Sequence, residues 1–323
     1  MERLDAFMAR ANAAYYANHD PFADFTTSPE ICQAFGEVLG LWAAVCWQAM
    51  GAPEPVLLAE AGPGRGTLMA DALRATSRAA PTFASALRLH LIETSPRLRA
   101  EQARRLPGAT WHESLETLPV GPLLLLANEF LDALPVRQFV RRPEGWRERF
   151  VAEGAFAEQT APAPDLDAPD GAVVEVCEPA RAFAARLAAR LAGSGGAALL
   201  IDYGPASRAP GDSLQALRGR KPADPLVAPG EADLTAHVDF AAVAEAARAQ
   251  GAAVCGPLPQ GVFLARLGLA RRVERLAQAR PPAEGQALLA SARRLMEPHA
   301  MGGLFKVLGL CHPSLSPLPG FAA

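Results

Sequence analysis

The chain has 323 residues, of which 50% are hydrophobic and 20% are charged, so it can bury a sizeable core and is not an intrinsically disordered chain. Its 31 basic and 34 acidic residues give a formal net charge of −3, which argues against a dedicated nucleic-acid-binding protein. No apolar run reaches the roughly 20 residues of a membrane span, and the first residues lack the pattern of a signal peptide.

The cysteines and histidines indicate neither a disulfide framework nor a metal site. The five cysteines are scattered and form no CxxC pair, and the six histidines show no spacing typical of metal ligands. Free thiols in a reducing compartment are the simplest interpretation. We therefore expect a cytoplasmic protein without a bound metal ion.

The first helix start that the sequence indicates lies at Ser28. Ser28 is a suitable N-cap, Pro29 suits the first helical position, and Glu30 is a favourable charge in the first turn. The helix that follows ends at Gly51, and residues 1–52 are therefore expected to form a helical extension. Its apolar face is predicted to carry Ile31, Phe35, Val38, Leu39, Trp42 and Val45.

Strands and helices alternate through the rest of the chain. The predicted strands are 56–59, 87–92, 110–112, 123–127, 197–201 and 304–308. The predicted helices are 67–75, one that is capped by Ser95 and begins at Pro96, and 239–250, 261–279 and 284–296. Continuously apolar strands that alternate with helices predict an α/β protein with a doubly wound, mostly parallel, Rossmann-like sheet.

One region interrupts this alternation between the fourth and fifth core strands. It contains a hairpin-like pair at 137–140 and 147–151, a stretch rich in Ala, Pro and Asp at 157–170, and a further strand at 173–176. We interpret it as an insertion that is partly a mobile loop. The expected organisation is an extension at 1–52, a first core part at 53–135, the insertion at 136–178, and a second core part with C-terminal helices at 179–323.

The strongest local motif is the loop EAGPGRGT at 60–67. Glu60 ends a strand, and glycines at 62, 64 and 66 lead into a helix whose first N–H groups are unpaired. The dinucleotide fingerprint GxGxxG would need a glycine at 67, where Thr67 stands. An acid followed by GxGxG is typical of S-adenosylmethionine (SAM) sites, with Gly62, Gly64 and Gly66 near the cofactor. A nicotinamide dinucleotide site and a tight turn without ligand are the alternatives.

The next two strands carry further candidate ligands for such a cofactor. Glu93 closes the second strand, where a carboxylate can accept hydrogen bonds from both ribose hydroxyls. Dehydrogenases also place an acid there, so Glu93 alone does not separate the two cofactors. Ser114 and Leu115 follow the third strand, at the position where adenine is usually held in such folds.

Polar residues directly after the fourth and fifth strands are candidates for the acceptor side. Asn128, Glu129 and Asp132 follow a continuously apolar strand, and Asp202 ends the next one. Buried carboxylates are costly unless they face the crevice at the carboxyl ends of the strands, where ligands bind in doubly wound folds. The alternative is that these acids only cap the following turn.

Eight segments, in order from about residue 10 to 310, together resemble the MidA-like SAM-dependent methyltransferase family. They are DFTTSPE at 24–30, EAGPGRGT at 60–67, ETSP at 93–96, NEFLDALP at 128–135, IDYG at 201–204, DLTAHVDF at 233–240, QGVFL at 260–264 and MGGLFKV at 301–307. Ala23, Arg220 and Pro259 stand where the family usually has glycine, histidine and threonine. None of these departures touches the glycine loop.

The resemblance implies a fold with an antiparallel last strand, a SAM cofactor and a set of site residues. The implied cofactor-binding residues are Thr27, Ser28, Glu60, Gly62, Gly64, Gly66, Glu93, Ser114, Leu115 and Asn128. The implied catalytic acids are Glu129, Asp132 and Asp202, because paired carboxylates can clamp a guanidinium and polarise one of its nitrogens.

The resemblance also implies a protein substrate. Mitochondrial members of the family dimethylate an arginine of a core subunit of respiratory complex I and assist its assembly. A complex I subunit is therefore an expected partner, and a homodimer is an expected state. Three alternatives are a nicotinamide-dependent dehydrogenase, which Thr67 disfavours, a SAM-binding assembly chaperone without catalysis, and a methyltransferase that acts on a small molecule.

Overall fold

The computed structural model describes residues 1–322, which form two units of mutually contacting residues. The first unit holds Met1–Thr26, Leu131–Ala182 and Gly204–Val243. The second holds Thr27–Phe130, Phe183–Tyr203 and the described residues from Ala244 onward. The division at 52, 135 and 178 that the sequence indicates stays a prediction about domains.

The strands of residues 1–322 are β1 Glu2–Arg3, β2 Val56–Ala61, β3 Leu87–Ile92, β4 Thr110–His112, β5 Leu123–Asn128, β6 Arg137–Arg142, β7 Gly145–Ala152, β8 Ala155–Thr160, β9 Val173–Val176, β10 Gly196–Tyr203, β11 Gln215–Arg218, β12 Lys221–Ala223, β13 Asp233–Thr235, β14 Ala253–Pro259 and β15 Phe305–Cys311. The helices are α1 Leu4–Asn18, α2 Pro21–Asp24, α3 Ser28–Ile31, α4 Gln33–Ala49, α5 Thr67–Ala79, α6 Pro81–Ala86, α7 Pro96–Arg105, α8 Glu178–Ser194, α9 Phe240–Arg248, α10 Gln260–Arg266, α11 Leu269–Gln278, α12 Pro282–Met296 and α13 Met301–Leu304.

The second unit is built on a seven-stranded sheet in the order β14-β15-β10-β5-β2-β3-β4. The five strands from β10 to β4 pair in parallel, and β15 is antiparallel to both of its neighbours. Every residue of β2 and β5 is buried, as expected for central strands with both faces covered. The predicted α/β class, the mostly parallel sheet and the antiparallel last strand are confirmed.

Two glycines bring helix α4 close to helix α5. A Cβ at Gly36 would lie 2.6 Å from the carbonyl oxygen of Leu68, and a Cβ at Gly40 would lie 2.7 Å from the Cα of Ala72. Side chains at these positions would push the two helices apart. Because α5 begins directly after the glycine loop, this packing also fixes the end of that loop.

Several helices differ from the sequence prediction, and α1, α2, α6, α8 and α13 were not predicted individually. Ser28 is the first helical residue and not the cap, and Cys32, in an extended conformation, separates α3 from α4. Val45, expected on the buried face, is 48% exposed. The single helix expected at 261–279 is divided at Gly268, whose φ of +79° is left-handed. By contrast, Ser95 caps α7 as predicted, because its hydroxyl accepts a hydrogen bond from Leu98 N.

Six of the strands observed in residues 1–322 were not predicted: β1, β8, β11, β12, β13 and β14. β14 contains Gly256, Pro257 and Pro259, which are disfavoured in strands but tolerated here because β14 is an edge strand. β8 lies partly in the stretch interpreted as a mobile loop, where it pairs with β7. It is exposed along nearly its whole length, so it shows no apolar alternation.

The first unit contains two antiparallel sheets and helix α1. One sheet has the order β1-β7-β6-β9, with β8 added to β7, and the other has the order β12-β11-β13. Apolar side chains of α1 are buried in the same cluster as side chains of β7, β11 and β13. The buried Asn12 side chain donates to the backbone oxygens of Ala133 and Leu234 and accepts from Leu234 N, which holds α1 in place.

Among the helices of residues 1–322, none combines the length and the apolar character that a membrane crossing requires.

Candidate functional site

The carboxyl ends of the five parallel strands of the second unit meet at one edge of its sheet. This edge brings together residues that are far apart in the sequence, because neighbouring strands end in register: Ala61 pairs with Ile92 and Ala127, and Ile201 pairs with Asn128. Ligands of doubly wound folds bind at this edge. The predicted site residues that end or follow these strands are Glu60, Gly62, Gly64, Gly66, Glu93, Ser114, Leu115, Asn128, Glu129 and Asp202.

The loop between β2 and α5 depends on its glycines. Gly62, Gly64 and Gly66 have φ values of +65°, +53° and +75°, which are strained for residues that carry a Cβ. A Cβ at Gly62 would lie 2.9 Å from Cδ2 of Phe130, and a Cβ at Gly66 would lie 2.9 Å from Cδ1 of Leu106. The loop therefore has no side chains at these three positions, so a ligand can approach its backbone and the start of α5.

Glu60 is a buried carboxylate at the end of β2. Its side chain is almost fully inaccessible, the residue being 3% exposed, and its Oε2 atom has no hydrogen-bond partner. Burial, followed by the nearby charge of Glu93, raises the pKa of Glu60 to about 8. A buried oxygen without a partner is costly in the free protein and is the kind of atom that a polar ligand satisfies.

Glu93 follows β3 and is held by neighbouring donors. Its Oε1 accepts from Ser95 N at 2.8 Å, and its Oε2 accepts from the side-chain amide of Gln102 at 3.3 Å. Burial raises the pKa of Glu93, and these hydrogen bonds oppose the increase. Its backbone N–H donates to the carbonyl of His112, which joins the ends of β3 and β4.

The segment that begins at Thr27 lies beside the glycine loop. Ser28 N donates to Oε1 of Glu129 at 2.9 Å, and the hydroxyl of Thr67 donates to the carboxylate of Glu30. Ser28 is fully buried, and its Oγ atom has no partner. This second-unit segment thus presents a further unsatisfied polar atom next to the loop.

Asn128 and Glu129 form the turn at the end of β5. The Asn128 side chain donates to Oε1 of Glu129 at 2.9 Å, while its own Oδ1 is buried without a partner. Glu129 has a φ of +51°, and its backbone N–H donates to the carbonyl of Ile201. A left-handed backbone at a residue with a long side chain is costly and is concentrated at functional sites.

Asp202 organises the chain around it. It is 1% exposed, and it accepts from Phe130 N at 3.2 Å through Oδ2 and from Tyr203 N at 2.9 Å through Oδ1. These contacts hold the turn after β5 against the end of β10. A positioning role is thus visible for Asp202 alongside the predicted role as an acceptor acid.

Asp132 belongs to the first unit. It is buried, and its carbonyl accepts from Ala236 N. Its charge helps to raise the pKa of Asp233 to about 7, although burial is the larger cause. Asp233 also accepts from the Tyr16 hydroxyl at 2.7 Å. The sequence motifs had not pointed to Asp233 and Tyr16 as neighbours of Asp132.

The predicted adenine segment follows β4. Leu115 is buried and begins a short 3-10 turn, and Ser114 hydrogen-bonds the side chain of Glu116. Beneath this segment, Nδ1 of His90 and Nε2 of His112 lie 2.9 Å apart, and burial lowers the pKa of His90 to about 4. His112 is therefore a core residue that supports the segment.

Sequence reasoning missed three residues that shape this edge. Phe130 packs against the glycine loop, Glu30 binds Thr67, and Gln102 contacts both the loop and Glu93. A signal for Gln102 was present, because it follows Leu98 by four residues on α7 and precedes Leu106 by four, and all three are buried. Across the described residues 1–322, no group of three or more His, Cys, Asp or Glu side chains is arranged to hold a metal ion.

Known proteins resemble this chain in sequence and structure. The model of a family described as "Putative S-adenosyl-L-methionine-dependent methyltransferase" matches residues 38–258. A Mus musculus protein named protein arginine methyltransferase NDUFAF7, mitochondrial, is 37% identical over 349 residues, covering 96% of this chain and 80% of that protein. Its Drosophila melanogaster homolog is 35% identical over 373 residues, covering 99% and 84%. A Burkholderia thailandensis protein crystallised with S-adenosyl-homocysteine has a TM-score of 0.83 at 27% identity, covering 99% of this chain and 90% of that chain.

These relatives overturn the predicted cytoplasmic location. The mouse and fly proteins are both named as mitochondrial, although they are similar to this chain over nearly its full length. The prediction was wrong because it depended on scattered free cysteines and on the first residues of the sequence. Unpaired thiols are compatible with any reducing compartment, so they do not distinguish one from another.

Proposed function

This chain belongs to the family of S-adenosyl-L-methionine-dependent methyltransferases, and from that premise we propose that its methyl acceptor is an arginine side chain of a protein. The observation that carries the proposal is that relatives named as protein arginine methyltransferases match 96–99% of this chain at 35–37% identity. A nicotinamide-dependent dehydrogenase is excluded by the family. The family description names the cofactor but not the methyl acceptor.

We propose that the cofactor lies at the carboxyl edge of the second unit's sheet. Support comes from three buried polar atoms without partners, Glu60 Oε2, Ser28 Oγ and Asn128 Oδ1, which suit a ligand rich in hydroxyl and amino donors. The bare backbone of the glycine loop suits the close approach of the same ligand. The proposed cofactor-binding residues are Thr27, Ser28, Glu60, Gly62, Gly64, Gly66, Glu93, Ser114, Leu115 and Asn128.

When bound, SAM supplies a methyl group that is already activated by its attachment to a sulfonium. The task of the chain is then to bind and orient the two reactants. A guanidinium stays protonated at physiological pH, so it is a poor nucleophile. Carboxylates are needed to orient it and to polarise the nitrogen that receives the methyl group. We propose Glu129, Asp132 and Asp202 for this role, with Glu129 and Asp202 also positioning the turn after β5 through their backbone contacts.

The proposed partner is a protein substrate. The resemblance to complex I assembly methyltransferases makes a subunit of respiratory complex I the first acceptor to test. A homodimer is proposed as the assembly state, and the molecular mass in solution tests it. A SAM-binding chaperone without catalysis and a small-molecule methyltransferase are the two other outcomes that the experiment below separates.

The experiment uses SAM labelled in the methyl group and a lysate of a strain that lacks this protein. We expect one labelled protein band whose acid hydrolysate contains methylated arginine. The Gly64→Val variant serves as the inactive control, because a side chain at 64 would occupy the proposed cofactor space. Label in a small molecule, or in another amino acid, would contradict the arginine proposal. Absence of label despite S-adenosyl-homocysteine binding would favour the chaperone.

A further inference from the structure

Gln102 lies at the carboxyl edge of the second unit's sheet, although it belongs to none of the loops there. It sits on α7 and is 0% exposed. Its side-chain Nε2 donates to the carbonyl oxygen of Gly64 at 2.7 Å and to Oε2 of Glu93 at 3.3 Å. Its Oε1 accepts from the indole N–H of Trp111 at 2.8 Å. One side chain thus touches the loop after β2, the acid after β3 and strand β4.

The chemistry of these contacts suits glutamine closely. The amide has two N–H donors, and each has its own acceptor, while the amide oxygen takes the only N–H that an indole offers. Burial of an amide is costly unless its hydrogen bonds are made, so all three contacts are needed to keep it inside. The stem of Gln102 also lies near the loop, because a Cβ added at Gly66 would lie 3.6 Å from its Cγ.

We infer that Gln102 is a positioning residue that fixes the glycine loop relative to Glu93 and thereby sets the affinity for the cofactor. The inference rests on the cofactor site proposed above. Gly64 lies in the loop that the proposed cofactor approaches, and Glu93 lies where its carboxylate would accept hydrogen bonds from the ribose hydroxyls. A ligand that bridges both parts binds well only when their separation is fixed in advance.

The hydrogen bond from Gln102 also favours the charged form of the Glu93 carboxylate. Burial raises the pKa of Glu93, and the amide of Gln102 is among the donors that oppose this increase. The charged carboxylate is the stronger acceptor for ribose hydroxyls. Loss of the amide would thus leave the Gly64 carbonyl without its donor and Glu93 with one donor fewer.

The test compares Gln102→Met with Gln260→Met. Both glutamines are 0% exposed, and Gln260 donates to the carbonyl of Leu295 in a different part of the second unit. Titration calorimetry with S-adenosyl-homocysteine and thermal unfolding are measured on both variants and the wild type. We expect Gln102→Met to weaken binding about tenfold or more, and Gln260→Met to bind like the wild type at a comparable loss of Tm.

A second readout separates positioning from catalysis. In the labelling assay with lysate, Gln102→Met should raise the KM for SAM and leave the maximal rate nearly unchanged, because Gln102 touches no reacting atom. Wild-type affinity in Gln102→Met, with a lowered Tm, would overturn the inference. The Glu93→Gln variant keeps the two levels distinguishable: if it loses binding while Gln102→Met does not, the cofactor site stands and the role of Gln102 falls.

Discussion

Glu60 combines two properties that are unfavourable in a free protein. Its carboxylate is buried, and one oxygen has no partner. Its pKa of about 8 means that near neutral pH the protonated form is favoured in the ligand-free state. Binding sites often retain such costs because the ligand relieves them. This residue therefore couples protein stability to cofactor binding.

The Glu60→Gln variant is predicted to be more stable and to bind the cofactor less well. The pKa of folded Glu60, about 8, lies above the ordinary value of 4.5. Its contribution to the free energy of unfolding is therefore fully present below pH 4.5 and is lost as the pH rises through 8. A neutral glutamine should remove this slope, raise the Tm of the free protein at pH 8 by a few degrees, and weaken S-adenosyl-homocysteine binding. The control is Glu245→Gln, because Glu245 is exposed. If the Tm of Glu60→Gln depended on pH as the Tm of the wild type does, the account would be contradicted.

The acceptor acids are predicted to affect turnover and not cofactor affinity. Glu129→Gln and Asp132→Asn keep the side-chain shape and remove one charge, so turnover should fall by about 10²-fold or more. Affinity for S-adenosyl-homocysteine should stay near that of the wild type. If these acids only cap the turn, each substitution would cost about 1 kcal/mol of stability and leave turnover intact. Melting, binding and methyl transfer measured on the same preparations distinguish the two results.

The positions of some candidate site residues were predictable because they follow from strand ends alone. Glu60, Glu93 and Asn128 each end or follow a parallel strand, and parallel strands end at one edge. Gln102 and Asp233 were not identified in this way, since their partners lie in distant segments or on other elements. A single sequence gives periodicity and local motifs, but it does not show which buried side chains contact each other.

At the level of elements, the glycine loop depends on the helix that follows it. Helix α5 begins at Thr67, and α4 packs on it through Gly36 and Gly40. Any change that displaces α5 will also displace the N–H groups at its start, which the proposed cofactor site uses. The packing of α4 on α5 thereby helps to hold the proposed cofactor site in place.

The Gly36→Ala variant is predicted to destabilise the protein and weaken cofactor binding. The new Cβ would lie 2.6 Å from the Leu68 carbonyl and 2.8 Å from Cβ of Asp71, so the helices must move apart at a cost of about 1–3 kcal/mol. Gly193→Ala in α8 is the matched control, because no atom lies within 4 Å of its added Cβ. Thermal unfolding and calorimetry should show a loss for Gly36→Ala alone. Equal Tm values for the two variants would contradict this role of Gly36.

The elements themselves were predictable where their patterning is strong. The strands Leu87–Ile92 and Thr110–His112 were predicted at their observed bounds, because apolar residues there are bounded by clear turn signals. The break at Cys32 had no such signal, since the apolar face continues through it. β8 and β14 were missed because exposure and proline remove the usual strand pattern.

At the scale of the whole molecule, a SAM-dependent methyltransferase is built on a doubly wound sheet whose sequence signature is unusually complete. The order of strand, acid, glycine loop and helix indicated the cofactor, and the family match confirms it. The cellular location could not be derived in the same way, because no residue pattern of the folded chain encodes it.

The most direct measurement is the titration of S-adenosyl-homocysteine into the wild type and two glycine variants. The account predicts binding to the wild type and to Gly251→Val, and no binding to Gly64→Val. Both glycines have left-handed φ values, +53° at Gly64 and +82° at Gly251, so both variants carry similar backbone strain. Only Gly64 lies in the glycine loop, and a Cβ at Gly251 meets nothing within 4 Å. Wild-type affinity in a folded Gly64→Val protein would contradict the placement of the cofactor at this loop.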